Sequence, residues 1–210
     1  SKKDQKNLIQ TRIQLDQFSK TIENFKNELS LKPKACLDIL DKLEPVQEAL
    51  NKMTEEDRIL SLIRKGEGEK LEFKETFEKC TRQQKKDDGV RHDALKNIVG
   101  FLNSSGGTLL IGVDDSGTVK GIENDFFKNT DKYMLNFKNH IITKIGTKYL
   151  PYIKWCVIRV RGFLILKVMC QKSPDPCFLN RKQFYVRTIP SSELLQGQDQ
   201  FDYIKRNFES

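Results

Sequence analysis

Apolar positions in the first thirty residues recur every seven. Leu8, Leu15, Ile22 and Leu29 share one position, and Thr11, Phe18 and Phe25 share the partner position three residues on. Ile9 and Ile13 interrupt otherwise polar intervals. The pattern predicts an amphipathic helix with a coiled-coil-like stripe. At about three and a half heptads it is too short to be stable alone, so a partner is expected: the next helix, a second chain or sequence upstream. Pro33 suits the first turn of a second helix carrying Leu37, Leu40 and Leu43. Pro45 interrupts it before Val46, Ala49 and Leu50 resume the pattern. Thr54 with Asp57 reads as a capping box for a helix bearing Ile59, Leu60, Leu62 and Ile63, stopped by Gly66. Residues 1–64 are therefore expected to be an all-helical oligomerisation or connector segment.

The texture changes after Gly66. KLEFKETF alternates, with Leu71 and Phe73 on one side and Glu72 and Lys74 on the other, as a strand does. Residues 79–91, KCTRQQKKDDGVR, are charge-dense and read as a loop. Ala94, Leu95, Ile98, Val99, Phe101 and Leu102 mark a helix that NSSGG ends. TLLIGV is a strand, DDSG a turn and TVKGI a second strand of the same hairpin. Residues 125–146 predict a helix with Tyr133, Phe137, Ile141 and Ile145 inward. YIKWCVIRVRG and FLILKVMCQ form two strands around a Gly turn, KQFYVRT is another strand, and residues 198–208 are a closing helix with Phe201, Tyr203, Ile204 and Phe208. Residues 65–210 thus predict an α+β domain with a mixed, largely antiparallel sheet.

Charge sharpens this division. Residues 1–64 carry 12 Lys and Arg against 11 acids, whereas residues 65–210 carry 25 against 18, so +7 of the formal charge of +8 belongs to the α+β part. Such an excess suits a polyanionic partner, nucleic acid first, or serves only solubility. No apolar run approaches the roughly 20 residues of a membrane span, so no membrane partner is expected. The N-terminus lacks the apolar stretch of a secretory signal, and a start at Ser1 suggests a piece of a longer protein. Five cysteines at 36, 80, 156, 170 and 177 are odd in number and loosely spaced. They point to an intracellular compartment, cytoplasmic or nuclear, rather than a disulfide scaffold.

Three segments carry candidate chemistry. GEGEKLEFKE crowds Glu67, Glu69 and Glu72 together; a bound divalent cation would relieve their repulsion, and a solvated strand edge is the alternative. TLLIGVDDSG delivers Asp114 and Asp115 to a sheet edge, either as oxygen ligands or as a backbone-favoured turn. Arg159 and Arg161 alternate with apolar residues on one strand, and Lys172, Arg181, Lys182 and Arg187 follow with Phe184 and Tyr185 interleaved. That basic face fits nucleic-acid backbone contact, or is merely solvated. The two histidines, His92 and His140, have no local nucleophile partner, and zinc on His140, Cys156, Cys170 and Cys177 is less fitting than core packing of those thiols. NSSGG lacks the Lys-Ser/Thr of a Walker motif, so no motif supports ATP.

GEGEKLEFKE, KNIVGFLNSSGGTLLIGVDDSGTVKGIEND, SPDPCFL, QFYVRTIPSSELL and FDYIKRNF, in this order, resemble the Schlafen-type AlbA domain over residues 65–208. That family is described as nucleic-acid-binding or ATP-binding, and its Schlafen members include endoribonucleases acting on tRNA-like or other structured RNA. The resemblance implies an α+β fold and an acidic trio. Glu67 and Glu72 fill an E-x4-E-F-K motif that continues through Phe73 and Lys74, and Asp115 fills the acid after the GV strand. Mg²⁺ or Mn²⁺ held by Glu67, Glu72 and Asp115 is then expected, with Lys74, one strand period from Glu72, near the scissile phosphate, and the basic face of Arg159, Arg161, Lys172 and Arg187 on the nucleic-acid backbone. The chain departs from the two-lobed Schlafens in having one lobe, in lacking their zinc spacing and in its longer charged stretch at 79–91. A single lobe implies a homodimer or hetero-oligomer, assembled through the N-terminal helices, to complete an RNA groove. A non-catalytic DNA- or RNA-binding or regulatory module, and an oligomerisation domain, are the alternatives.

Overall fold

Leu71 and Phe73 point to one side of a short strand and Glu72 to the other, and everything around the candidate site follows from that alternation. In the computed structural model the described residues are 54–80, 85–123, 125, 127, 129–189 and 191–209. The heptad stripe and the helix expected at 33–53 lie outside them. The chain divides into two compact units, Ser1–Thr54 and Glu55–Ser210; the second is described below.

Its elements are α1 (Glu55–Lys65), β1 (Leu71–Lys74), β2 (Lys79–Cys80), β3 (Lys85–Lys86), α2 (Asp88–Asn103), β4 (Gly107–Ile111), α3 (Thr130–Lys144), a 3₁₀ segment (Thr147–Tyr152), β5 (Ile153–Val160), β6 (Phe163–Cys170), β7 (Phe184–Arg187), β8 (Ser192–Leu195) and α4 (Gly197–Phe208). The main sheet has the order β1-β4-β6-β5. β1 and β4 run parallel, whereas β4 with β6 and β6 with β5 run antiparallel. The α+β class and mixed sheet are as the alternation of the sequence predicts.

Both faces of the sheet are covered. Leu71, Phe73, Leu110, Val160 and Ile165 pack with Ile59 of α1 on one face. Leu109, Ile111, Leu166 and Val168 pack with Ile98, Leu102, Phe137 and Ile141 of α2 and α3 on the other. The helix ending at Gly66, grouped by sequence with the N-terminal segment, therefore supplies a wall of the α+β unit.

Several local expectations are corrected. Within 79–91, β2 and β3 pair antiparallel, and Asp87 caps α2 by accepting from the Gly89 N–H at 2.7 Å. Charge density concealed that cap. TVKGI makes only a single Val113–Val119 bridge, because Asp114 closes the turn through side-chain bonds. α3 begins at Thr130, since Asn129 caps it. SELL forms β8, which sequence analysis missed, and Phe201 on α4 is exposed. NSSGG stops α2 as expected. Gly106 has φ +77°, and a Cβ there would lie 2.6 Å from the Cys170 carbonyl. A Cβ on Gly107 would lie 2.4 Å from the Phe101 ring, so the helix and β4 meet at bare backbone.

Candidate functional site

Parallel pairing of β1 with β4 sets Lys74 opposite Ile111, so both strands end side by side. The Gly112 and Val113 N–H groups continue the contact by donating to the Lys74 carbonyl at 2.8 and 3.3 Å. The chain leaving β4 thereby brings Asp114 and Asp115 to the end of β1. Asp114 is structural: its Oδ1 accepts from the Ser116 N–H, the Ser116 hydroxyl and the Thr118 N–H. Asp115 is exposed.

Glu67 arrives differently. β1 is an edge strand, and the tight turn Gly68–Leu71 folds the preceding residues alongside it. The Phe73 N–H, which faces away from β4, donates to Glu67 Oε1 at 2.8 Å. Burial raises the Glu67 pKa above the ordinary carboxylate value, and the negative charges of Glu72 and Asp115 raise it further, against the Phe73 N–H and Lys74. The three acids thus share one electrostatic field.

Glu72 is buried, and both of its oxygens are engaged. Its Oε1 accepts from Lys74 Nζ at 2.7 Å and from Asn97 Nδ2 at 3.0 Å, and its Oε2 pairs with the Arg187 guanidinium at 2.8 Å. Lys74 Nζ also donates to the Phe73 carbonyl at 2.9 Å. Asn97, on the buried face of α2, accepts from Arg187 at 3.2 Å and from Ser192 Oγ at 2.7 Å. Arg187 further donates to the carbonyls of Gly68, Glu69 and Leu71, and stacks 5.1 Å from the centre of the Phe101 ring. Its side chain is 1% exposed. The guanidinium therefore ties the Glu67–Leu71 turn to the carboxylate of Glu72.

The four basic residues expected on nucleic acid are dispersed. Arg187 lies inside the acidic network. Arg159 is exposed on β5, donating to the Gly162 carbonyl at 2.7 Å. Arg161 is not on the strand but in the β5–β6 turn at φ 51°, its N–H held by Glu56. Ile111 of β4 opposes Leu166 of β6, and Phe163 opposes Val160, so this turn lies at the same sheet end as Asp115. Lys172 lies at the opposite end, beyond Cys170, 5.3 Å from the centre of the Phe208 ring.

The acids do not form a ready cation cage. Both oxygens of Glu72 are engaged by Arg187, Lys74 and Asn97, and Glu67 Oε1 holds a backbone N–H. Among the described residues no group of three or more His, Cys, Asp or Glu side chains is set to hold a metal ion. Cys170 and Cys177 are buried in the core, where burial pushes both thiols up, Cys177 to about 12. Asn97 and Ser192 escaped sequence analysis; an Asn on the apolar face of KNIVGF was the available signal.

An α+β domain whose parallel strands β1 and β4 carry Glu72 and lead into Asp114 and Asp115 is the class that fold and site define. The family model for Schlafen, AlbA_2 matches residues 67–196, more than half of the chain. The chain belongs to that Schlafen AlbA_2 family. No curated protein matches it. Among solved structures it is similar to the DIP2311 protein of Corynebacterium diphtheriae, at 17% identity and TM-score 0.48, over 66% of this chain and 27% of that one. It is also similar to the N-terminal domain of a putative ATP-dependent DNA helicase RecG-related protein of Nitrosomonas europaea, at 18% identity and TM-score 0.43, over 70% of this chain and 97% of that domain. The chain thus spans about a quarter of the length of the first of these. Among the described residues, no helix is long and apolar enough to cross a membrane.

Proposed function

We propose that this Schlafen AlbA_2 domain binds nucleic acid and cleaves the phosphodiester backbone of tRNA or other structured RNA at Glu67, Glu72, Asp115 and Lys74. The observation that supports the reading is at Glu67: burial raises its carboxyl above the ordinary value, and the charges of Glu72 and Asp115 raise it further. A carboxyl group with a raised pKa suits proton transfer, so Glu67 is the candidate for moving the proton of the attacking hydroxyl. Glu72 fixes Lys74 beside it, and the ammonium offsets charge gathering on phosphate. Asp115 is the acid open to an incoming strand. The Mg²⁺ or Mn²⁺ expected from the family does not fit Glu72 while Arg187 and Lys74 hold it, and no step is assigned to an ion.

A second reading, a non-catalytic DNA- or RNA-binding module, is favoured by that same engagement of Glu72. Incubating the full chain with labelled tRNA separates the two. Accumulating defined fragments support cleavage, whereas a shifted but intact band supports a binding module. Pairing of two copies through residues 1–64 belongs to the same proposal and is read by light scattering of the full chain.

A further inference from the structure

Both histidines of the chain line one cavity, and none of the acidic trio lines it. The cavity, of about 200 Å³, lies between the start of α2 and the end of α3. Arg91 and His92 come from α2, His140 and Lys144 from α3, and Leu95 and Leu179 form apolar wall. The Asn180 N–H donates to the Lys144 carbonyl at 2.7 Å and ties the loop after Leu179 to the end of α3. His92 Nε2 lies 3.1 Å from the Tyr185 hydroxyl, and His140 packs edge-on against Phe77. Both imidazoles are thereby fixed in place rather than free on the surface.

The charges in and under this cavity do not cancel. Glu78, 2% exposed, sits below it, with Lys86 at 2.8 Å, Arg91 at 3.5 Å and His140 Nε2 at 3.6 Å. Asp88 pairs with Arg91 from the rim, and its side chain is 91% exposed. In the lining Arg91 and Lys144 outnumber Asp88, and Glu78 beneath is answered by Lys86. An exposed Asp88 can give way to a stronger anion on the Arg91 fork.

We propose that this cavity binds a phosphomonoester, the terminal phosphate of a nucleic acid or of a nucleotide. Ligand pockets usually run to about 300–1,000 Å³, so this one takes a charged group rather than a whole nucleotide. A terminal phosphate offers three acceptor oxygens to the guanidinium, the ammonium and the imidazoles. A phosphate inside a chain has one charge and two continuing ends, which fit a closed-floored cavity poorly. The proposal is independent of whether the acidic trio turns over.

The two histidine ring signals of the full chain report the site directly in NMR. Titration with inorganic phosphate should move both, saturably. Lys144→Met, an exposed change that leaves the fold intact, should weaken the response about tenfold, as expected for one charged hydrogen bond. Arg91→Lys should weaken it too. Competition then distinguishes the sources. Displacement by a 5′-phosphorylated oligonucleotide at lower concentration than by its 5′-hydroxyl twin supports a nucleic-acid end. Displacement by a nucleoside monophosphate as effectively as by that oligonucleotide supports a nucleotide. Ring signals unmoved by millimolar phosphate, an unchanged response in Lys144→Met, or equal displacement by both oligonucleotides would overturn the proposal.

Discussion

Glu72 and Asp115 belong to one acidic group but answer differently to mutation. Glu72 is locked to Arg187 inside the domain, so Glu72→Gln leaves a buried guanidinium without its counter-charge. Activity lost in that variant can reflect folding as well as chemistry. Asp115 stands exposed, and its replacement leaves the buried network alone. Asp115→Asn should lower the Glu67 pKa, because a neighbouring negative charge that favours protonation is gone. Carboxyl ¹³C titration of Glu67 checks this; an unmoved or raised value would place the two acids in separate fields. Arg187→Met leaves Glu72 only Lys74 and Asn97 on its other oxygen, and breaking a buried pair from one side costs roughly 3–5 kcal/mol. Denaturant unfolding should show that loss, and one below about 1 kcal/mol, the range of surface pairs, would mean the guanidinium is not the anchor described.

At the scale of elements, alternation of side chains was the most legible feature. KLEFK gave β1 and placed Leu71 and Phe73 opposite Glu72, because apolar–polar alternation is written directly in the sequence, whereas the burial of Glu72 itself was not. Grouping Glu67 and Glu72 with Asp115 came from the family resemblance, since neither acidic segment alone pointed past a solvated edge or a turn. What the sequence concealed was pairing between distant elements. Arg187 read as one more outward cation on a basic strand, yet β7 packs against α2 outside the main sheet, so its side chain turns inward to Glu72. Asn97 looked like a polar interruption of an apolar helix and proved to bridge Glu72, Arg187 and Ser192. The junction of α2 with β4 was legible as a stop at NSSGG, although its tightness was not. Gly106→Ala adds a Cβ against the Cys170 carbonyl at a positive φ. It should cost about 1–3 kcal/mol, the usual range for overpacking. A thermal melt unchanged from the parent would show that the junction relaxes freely.

For the whole molecule, the proposed substrate must span two regions of one sheet end. Three strand spacings of about 4.8 Å separate β1 from β5, roughly 14 Å from the acids to Arg159. A backbone crossing that distance meets the Arg159–Arg161 turn. Binding should therefore weaken steeply with salt; for about five single-strand phosphates the log–log slope is roughly −3.5. Arg159→Ala with Arg161→Ala should flatten it, and an unchanged slope would move the interface elsewhere. The most direct test of the central claim is tRNA cleavage by the full chain and by Asp115→Asn, with binding of each measured alongside. The account predicts that cleavage is lost in Asp115→Asn while binding is kept or tightened, since a charge facing phosphate has been removed. Full cleavage by that variant would contradict it.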